Sequence, residues 1–199
     1  MHRLIVTKSK GDPLKVACCN WNSEYPYVPE VEFTLWHDGA FLYIEFSVAE
    51  RYTLGAVDCD NGPCWTDSCV ELFIAPDDSG YYYNFEFTCT GKLLLGYRPG
   101  REGAEIAPLS VIESVKRMPS LGTKRIGLTE NCNWDLRVAI PVTALFKHNL
   151  KSWSGLCAKG NIYKCGNNLP ERHFLSYAPI DTPKPDFHRP EYFIPIDFD

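Results

Sequence analysis

The chain predicts an all-β fold, a two-sheet antiparallel β-sandwich of about ten strands with long coil segments and at most one short helix. Three observations predict it. Apolar residues alternate in short runs and seldom recur at helical spacing. Gly, Pro, Asp and Asn punctuate those runs at the spacing of turns. Aromatics reach 14% beside 15 Pro and 14 Gly, a composition weighted toward strands and turns. The 199 residues are expected to form one domain, 1–199, large enough to bury a core without staples.

Taken in order, Leu4–Thr7 reads as a short strand turned by Gly11-Asp12-Pro13, and Pro13–Cys19 as a second. Prolines keep Tyr25–Pro29 extended. Val31–Trp36 and Ala40–Val48 alternate on either side of His37-Asp38-Gly39, the clearest hairpin in the chain. Tyr81–Cys89 sets Tyr81, Tyr83, Phe85 and Phe87 on one face and Tyr82, Asn84, Glu86 and Thr88 on the other. It turns through Thr90-Gly91-Lys92 into Leu93–Arg98. Residues 99–110 read as a loop and Val111–Met118 as a further strand. Asn133–Ile140 points Trp134, Leu136, Val138 and Ile140 inward, and Pro141–Phe146 reads as a helical turn. Lys159–Cys165 and His173–Tyr177 are short strands, a Pro-rich segment over 179–190 wraps the surface, and Tyr192–Phe198 closes the chain.

A net charge of -5, with basic residues only in scattered pairs such as Lys116-Arg117, gives no reason to expect nucleic acid as a partner. No window approaches the ~18 apolar residues of a membrane span. The first apolar run is too short for a signal peptide, so the expected location is cytoplasmic, or secreted or periplasmic if a leader has been removed. Nine cysteines, an odd number, predict reduced and mostly buried thiols. No Cys-x-x-Cys occurs, and Cys59, Cys64 and Cys69 stand five apart, so no metal site is predicted. Asp58-Cys59-Asp60-Asn61-Gly62 begins like a calcium loop, but Cys69 falls at the twelfth position, where a Glu belongs. It reads as an ordinary turn, with a structural calcium as the alternative.

The functional signal centres on Trp65-Thr66-Asp67-Ser68-Cys69-Val70-Glu71-Leu72-Phe73-Ile74-Ala75-Pro76. An aromatic on a loop precedes a strand in which Val70, Leu72 and Ile74 share one face and Glu71 points to the other. A flat ring beside a fixed carboxylate suits a ligand with one apolar face and several hydroxyls, as sugars have; the bland alternative is a core Trp and a solvated Glu. Glu71 and Glu86 lie on consecutive strands and form the one carboxylate pair that a glycoside hydrolase would need, with Asp67, Asp135 and Glu45 as further candidates. No nucleophile elbow or zinc-protease spacing is present. Near the C-terminus, Asn161, Lys164 and His173 flank Tyr177. They serve either as ties for the long coil or as hydrogen-bonding groups of a site; His188 and Arg189 read as ties.

With these residues, the chain resembles carbohydrate-binding module family 9. The resemblance rests on Trp65 followed by Asp67-Ser68-Cys69-Val70-Glu71-Leu72-Phe73-Ile74, on Tyr82-Tyr83-Asn84-Phe85-Glu86-Phe87, and on Trp134 before Ile140-Pro141. It continues through Gly160–Gly166, His173–Pro179 and Pro185–Phe193, nearly the whole chain. It implies a β-sandwich that holds a mono- or oligosaccharide between aromatic rings, without catalysis. Trp65 would be one ring, Tyr177 the second in place of the more usual Trp, and Glu71 an acceptor for hydroxyls. Arg98, Asn161 and Lys164 would donate to them. The expected function is non-catalytic carbohydrate binding in support of carbohydrate catabolism. A hydrolase using Glu71 and Glu86, or a subunit docking another protein through its aromatic face, is the alternative.

Overall fold

The computed structural model describes residues 3–199. Within them lie thirteen strands: β1 (Leu4–Val6), β2 (Leu14–Lys15), β3 (Glu30–His37), β4 (Phe41–Gly55), β5 (Cys69–Ala75), β6 (Tyr82–Thr88), β7 (Leu93–Arg98), β8 (Glu105–Ile106), β9 (Lys116–Pro119), β10 (Ile126–Pro141), β11 (Cys157–Cys165), β12 (Phe174–Ser176) and β13 (Ile194–Phe198). One short helix, α1 (Leu109–Ser114), precedes β9. The first sheet runs β1-β13-β11-β5-β6-β7-β8, with β12 also pairing β11, and the second runs β2-β3-β4-β10-β9. Together they make the expected all-β sandwich.

Alternation explains the central strands. Phe33, Leu42, Ile44, Phe46, Trp134, Leu136, Val138 and Ile140 of the second sheet bury against Val70, Leu72, Tyr83, Phe85, Phe87 and Leu95 of the first. The hairpin over Asp38-Gly39 forms in register, with Trp36 opposite Tyr43 and Val31 opposite Val48. Gly39 takes a φ of 91°, which an L side chain rarely adopts.

Three sequence readings need correction. The strand expected over Val111–Met118 is helix α1 followed by β9, because Leu109/Ile112 and Val111/Val115 recur at spacings of three and four, a helical period hidden behind Pro108. The helical turn expected over Pro141–Phe146 shrinks to a 3-10 turn, Val142–Ala144. The sheets are not wholly antiparallel either: β1 runs parallel to β13, where the two ends of the chain meet at one sheet edge.

The first sheet is buried on both faces. Its outer face carries a second apolar cluster, including Phe73, Tyr82 and Tyr163 from the strands and Trp21, Phe174, Phe187 and Phe193 from the segments laid over them. Phe187 stacks on Tyr163 with ring centroids 4.2 Å apart, and the Trp21 indole N–H donates to the Thr182 carbonyl at 2.8 Å. The Pro-rich coil is therefore a cover for this sheet, and a cleft opens where the cover stops.

Candidate functional site

A cleft of about 540 Å³ opens on that outer face, with Trp65, Glu71, Glu86, Arg98 and Cys165 among its walls and floor. The strand registers place its floor. Tyr163, Glu71, Glu86 and Leu94 lie side by side across β11, β5, β6 and β7, and the neighbouring row is Asn161, Phe73, Asn84 and Gly96. Trp65 stands at one wall in a single 3-10 turn, Cys64–Thr66, and is 42% exposed. The Asn167 amide pins that turn by donating to the Trp65 carbonyl at 3.2 Å. Asp67 is no part of the floor: it accepts from the Val57 amide at 2.8 Å.

The floor holds more polar capacity than the protein uses. Asn84 donates to one Glu86 oxygen at 2.8 Å. The other oxygen of Glu86, the Asn84 carbonyl oxygen and Arg98 Nε have no hydrogen-bond partner among the described residues, although all three side chains are buried. Arg98 is held from one end only, donating through Nη1 to the Arg101 carbonyl at 2.9 Å. Gly96 makes this crowding fit. A Cβ there would stand 2.7 Å from Asn84 Oδ1 and 3.1 Å from Arg98 Nη2. Cys165 donates its S–H to Glu71 at 3.0 Å.

Burial sets the electrostatics. It lifts Glu71 well above the ordinary carboxyl range, with Cys165 and Glu86 adding to it and Lys164 opposing. It pushes Glu86 up to about 7, against Asn84, Arg98 and Arg101. His188, at the cleft wall, is lowered to about 3 by burial and by Arg98 and Arg101, so its ring is neutral and shares a 2.8 Å hydrogen bond with the Tyr82 hydroxyl.

Of the residues singled out in the sequence, the cleft brings together Trp65, Glu71, Arg98 and Glu86, with His188, read as a tie, at its wall. It does not include Asn161, Lys164 or Tyr177. Asn161 is fully buried and clips β11 to the coil, donating to the Ala178 carbonyl and accepting from the Ala178 and Ile162 amides. Lys164 faces the opposite side of β11, into the space between the sheets, where it pairs with Glu50 at 2.8 Å. Tyr177 sets its ring edge-on to Phe33 at 5.2 Å and packs on the inter-sheet core. Glu45 and Asp135 lie in a different groove on the outer face of the second sheet, where Glu45 is engaged by Lys10 and Arg137. The calcium-like stretch spends its oxygens on the protein: Asp60 on Arg117 and the Leu93 amide, Asn61 on the Leu95 amide.

The sequence reading missed Tyr25, Arg101, Asn167, Arg172 and Asp186, which reach the cleft from loops. No sequence pattern links them: Arg101 and Asp186 form an ion pair at 2.7 Å that ties two distant loops at the rim and shows only in the fold. The nine thiols are free, with Cys64, Cys69, Cys89 and Cys165 buried and Cys59 and Cys157 exposed, fewer buried than expected.

A β-sandwich with an aromatic beside a charged, buried floor at the uncovered part of one sheet defines a ligand-binding class of domain. The sequence matches carbohydrate-binding family 9 over residues 2–198, and the chain belongs to that family. It is similar to a candidate carbohydrate-binding protein from Bacteroides uniformis, 34% identical, with a TM-score of 0.92 over 100% of this chain and 98% of that one. Two structures of a family 9 carbohydrate-binding module from Caldicellulosiruptor kristjanssonii, one with cellotriose and one with glucose, share the fold at 11% identity. Their TM-scores are 0.59 and 0.57, over 100% and 98% of this chain and 94% and 95% of theirs. No curated protein matches the chain. Among the described residues, no helix is long and apolar enough to cross a membrane.

Proposed function

We propose that the chain binds a mono- or oligosaccharide without turning it over, in support of carbohydrate catabolism. The observation that carries this reading is the pairing of a part-exposed indole, Trp65, with buried polar atoms left over on the floor, at Asn84, Glu86 and Arg98. Buried polar atoms without partners are costly, and hydroxyls of a bound ligand would satisfy them. Trp65 would stack on the apolar face of a sugar ring. Arg98 would fix its orientation through hydrogen bonds strengthened by charge, and the Glu71 and Glu86 carboxyls through further hydrogen bonds. Tyr25, the other part-exposed ring of the cleft, is a better second platform than Tyr177. The family 9 modules found with cellotriose and glucose make gluco-oligosaccharides the first ligands to try.

Calorimetry of the wild type and Trp65→Ala against glucose and cellotriose tests it. With about 100 Å² of indole covered by the ligand, at ~25 cal/mol per Å², truncation should cost about 2.5 kcal/mol, roughly 60-fold in affinity. Equal affinity in a folded Trp65→Ala would sink the proposal. A hydrolytic reading draws on Glu71 and Glu86, side by side with raised protonation ranges. Both approach a ligand from the same sheet face, however, whereas glycosidases place their pair on opposite sides of the scissile bond. Turnover of an aryl glycoside, lost in Glu86→Gln, would favour that reading instead.

A further inference from the structure

Two thiols that the sugar reading does not use meet the Glu71 carboxyl under the cleft. Cys69 and Cys165 are direct partners across β5 and β11, and Glu71 follows Cys69 by two residues on the same face. The two Sγ atoms and a Glu71 oxygen all lie within 4.8 Å of one another, and all three side chains are buried. Both thiols are free. A tetrahedral zinc ion bonds thiolate sulfur at ~2.3 Å and carboxylate oxygen at ~2.0–2.2 Å, so its ligand atoms sit roughly 3.5–3.8 Å apart. Side-chain rotations of about an ångström, within one staggered well, close the set to that geometry.

We propose that Cys69, Cys165 and Glu71 form a site for zinc(II), with the fourth coordination position open toward the cleft. The ligand chemistry selects the metal. Two thiolates favour zinc over the hard cations magnesium and calcium, and a carboxylate completes a borderline set that zinc accepts. Access comes through the cleft, because Glu71 and Cys165 line it while Cys69 lies beneath. Rigidity comes from the ladder, since both strands are hydrogen-bonded on each side in the middle of the sheet. Binding would release to solvent the two thiol protons and any proton held by the Glu71 carboxyl, and break the Cys165–Glu71 hydrogen bond, leaving each former partner on the metal. The other reading is that this bond serves only to satisfy a buried Glu71, and it predicts no metal affinity.

The site shares Glu71 with the sugar proposal but does not rest on it, and it is tested without sugar. The reduced, metal-free protein is titrated with zinc against a chromophoric chelator, and separately with cobalt(II) as a spectroscopic probe. The expected result is one ion per chain, with cobalt giving a thiolate charge-transfer band of two-thiolate intensity and the visible bands of a tetrahedral site. Cys165→Ser and Glu71→Gln should each weaken zinc at least about 100-fold, while Cys157→Ser, at an exposed thiol, should not. Should a buried Cys variant fail to fold, the wild-type cobalt spectrum and Glu71→Gln decide alone. Absence of the charge-transfer band, or zinc affinity unchanged in Glu71→Gln and in a folded Cys165→Ser, would overturn the proposal.

Discussion

Replacing Lys164 with Met tests how the two sheets are locked together. Lys164 is fully buried between them. Its Nζ lies 2.8 Å from Glu50 Oε2 and 2.8 Å from His173 Nε2, and donates to the Cys165 carbonyl at 2.9 Å. Glu50 also accepts from the Trp134 indole at 2.7 Å. Burial pushes the Glu50 carboxyl up, but the Lys164 charge and the hydrogen bonds of Lys164, Ser68 and Trp134 outweigh it and hold the group below its ordinary range. Met keeps the length of the side chain and removes the charge, so Glu50 is stranded in the core. Removing one partner of a buried pair costs about 3–5 kcal/mol. For a chain of this size, that is a fall in Tm of about 10 °C, read by near-UV circular dichroism and checked by the urea midpoint. Adding Glu50→Gln to Lys164→Met should recover much of the loss, because Gln still accepts from Trp134 and carries no charge to strand. A folded Lys164→Met melting within about 2 °C of wild type would refute the reasoning. Loss of sugar affinity without loss of stability would return Lys164 to the ligand.

Two further variants probe the cleft. Glu86 has its folded value raised to about 7 from an ordinary 4.5, so the folded state holds the extra proton between those limits and its stability falls as pH rises through them. Urea midpoints should therefore show Glu86→Gln gaining on wild type by about 3 kcal/mol between pH 4.5 and 7; a pH-independent difference would contradict the buried, protonated carboxyl. Gly96→Ala should drive its new methyl into Asn84 and Arg98, lowering stability by about 1–3 kcal/mol. Sugar affinity, measured by calorimetry, should fall with it, and full affinity in a folded Gly96→Ala would show that Arg98 is not needed where it stands.

The strand period made much of the fold legible. The alternation in Val31–Val48, Cys69–Ala75, Tyr82–Thr88 and Asn133–Ile140 identifies the core strands and their inward faces, and those strands carry both sheets. The same period should have separated Asn161 from Lys164. Three residues apart on one strand, they face opposite sides, and the structure puts Asn161 on the cleft face of β11 and Lys164 between the sheets. What no local pattern could carry is the second apolar layer. Trp21, Phe174, Phe187 and Phe193 look like scattered aromatics of a coil until they are laid over Phe73, Tyr82 and Tyr163. Nor does spacing along the chain hint that Cys69 faces Cys165, since that pairing is set by the register of β5 against β11.

That second layer also explains where the candidate site lies. On a sheet face otherwise sealed by aromatics, Glu71, Glu86 and Arg98 would be expensive if covered as Phe73 and Tyr163 are, for each would lose water and gain too few partners. They are tolerable only at the edge of the cover, where the cleft admits water or a ligand. Filling the cleft with apolar side chains would thus leave these polar groups less satisfied, and a ligand that brings hydroxyls of its own would leave them better satisfied than water alone. The residues that make the floor costly to bury are the same ones that the proposed sugar site would use.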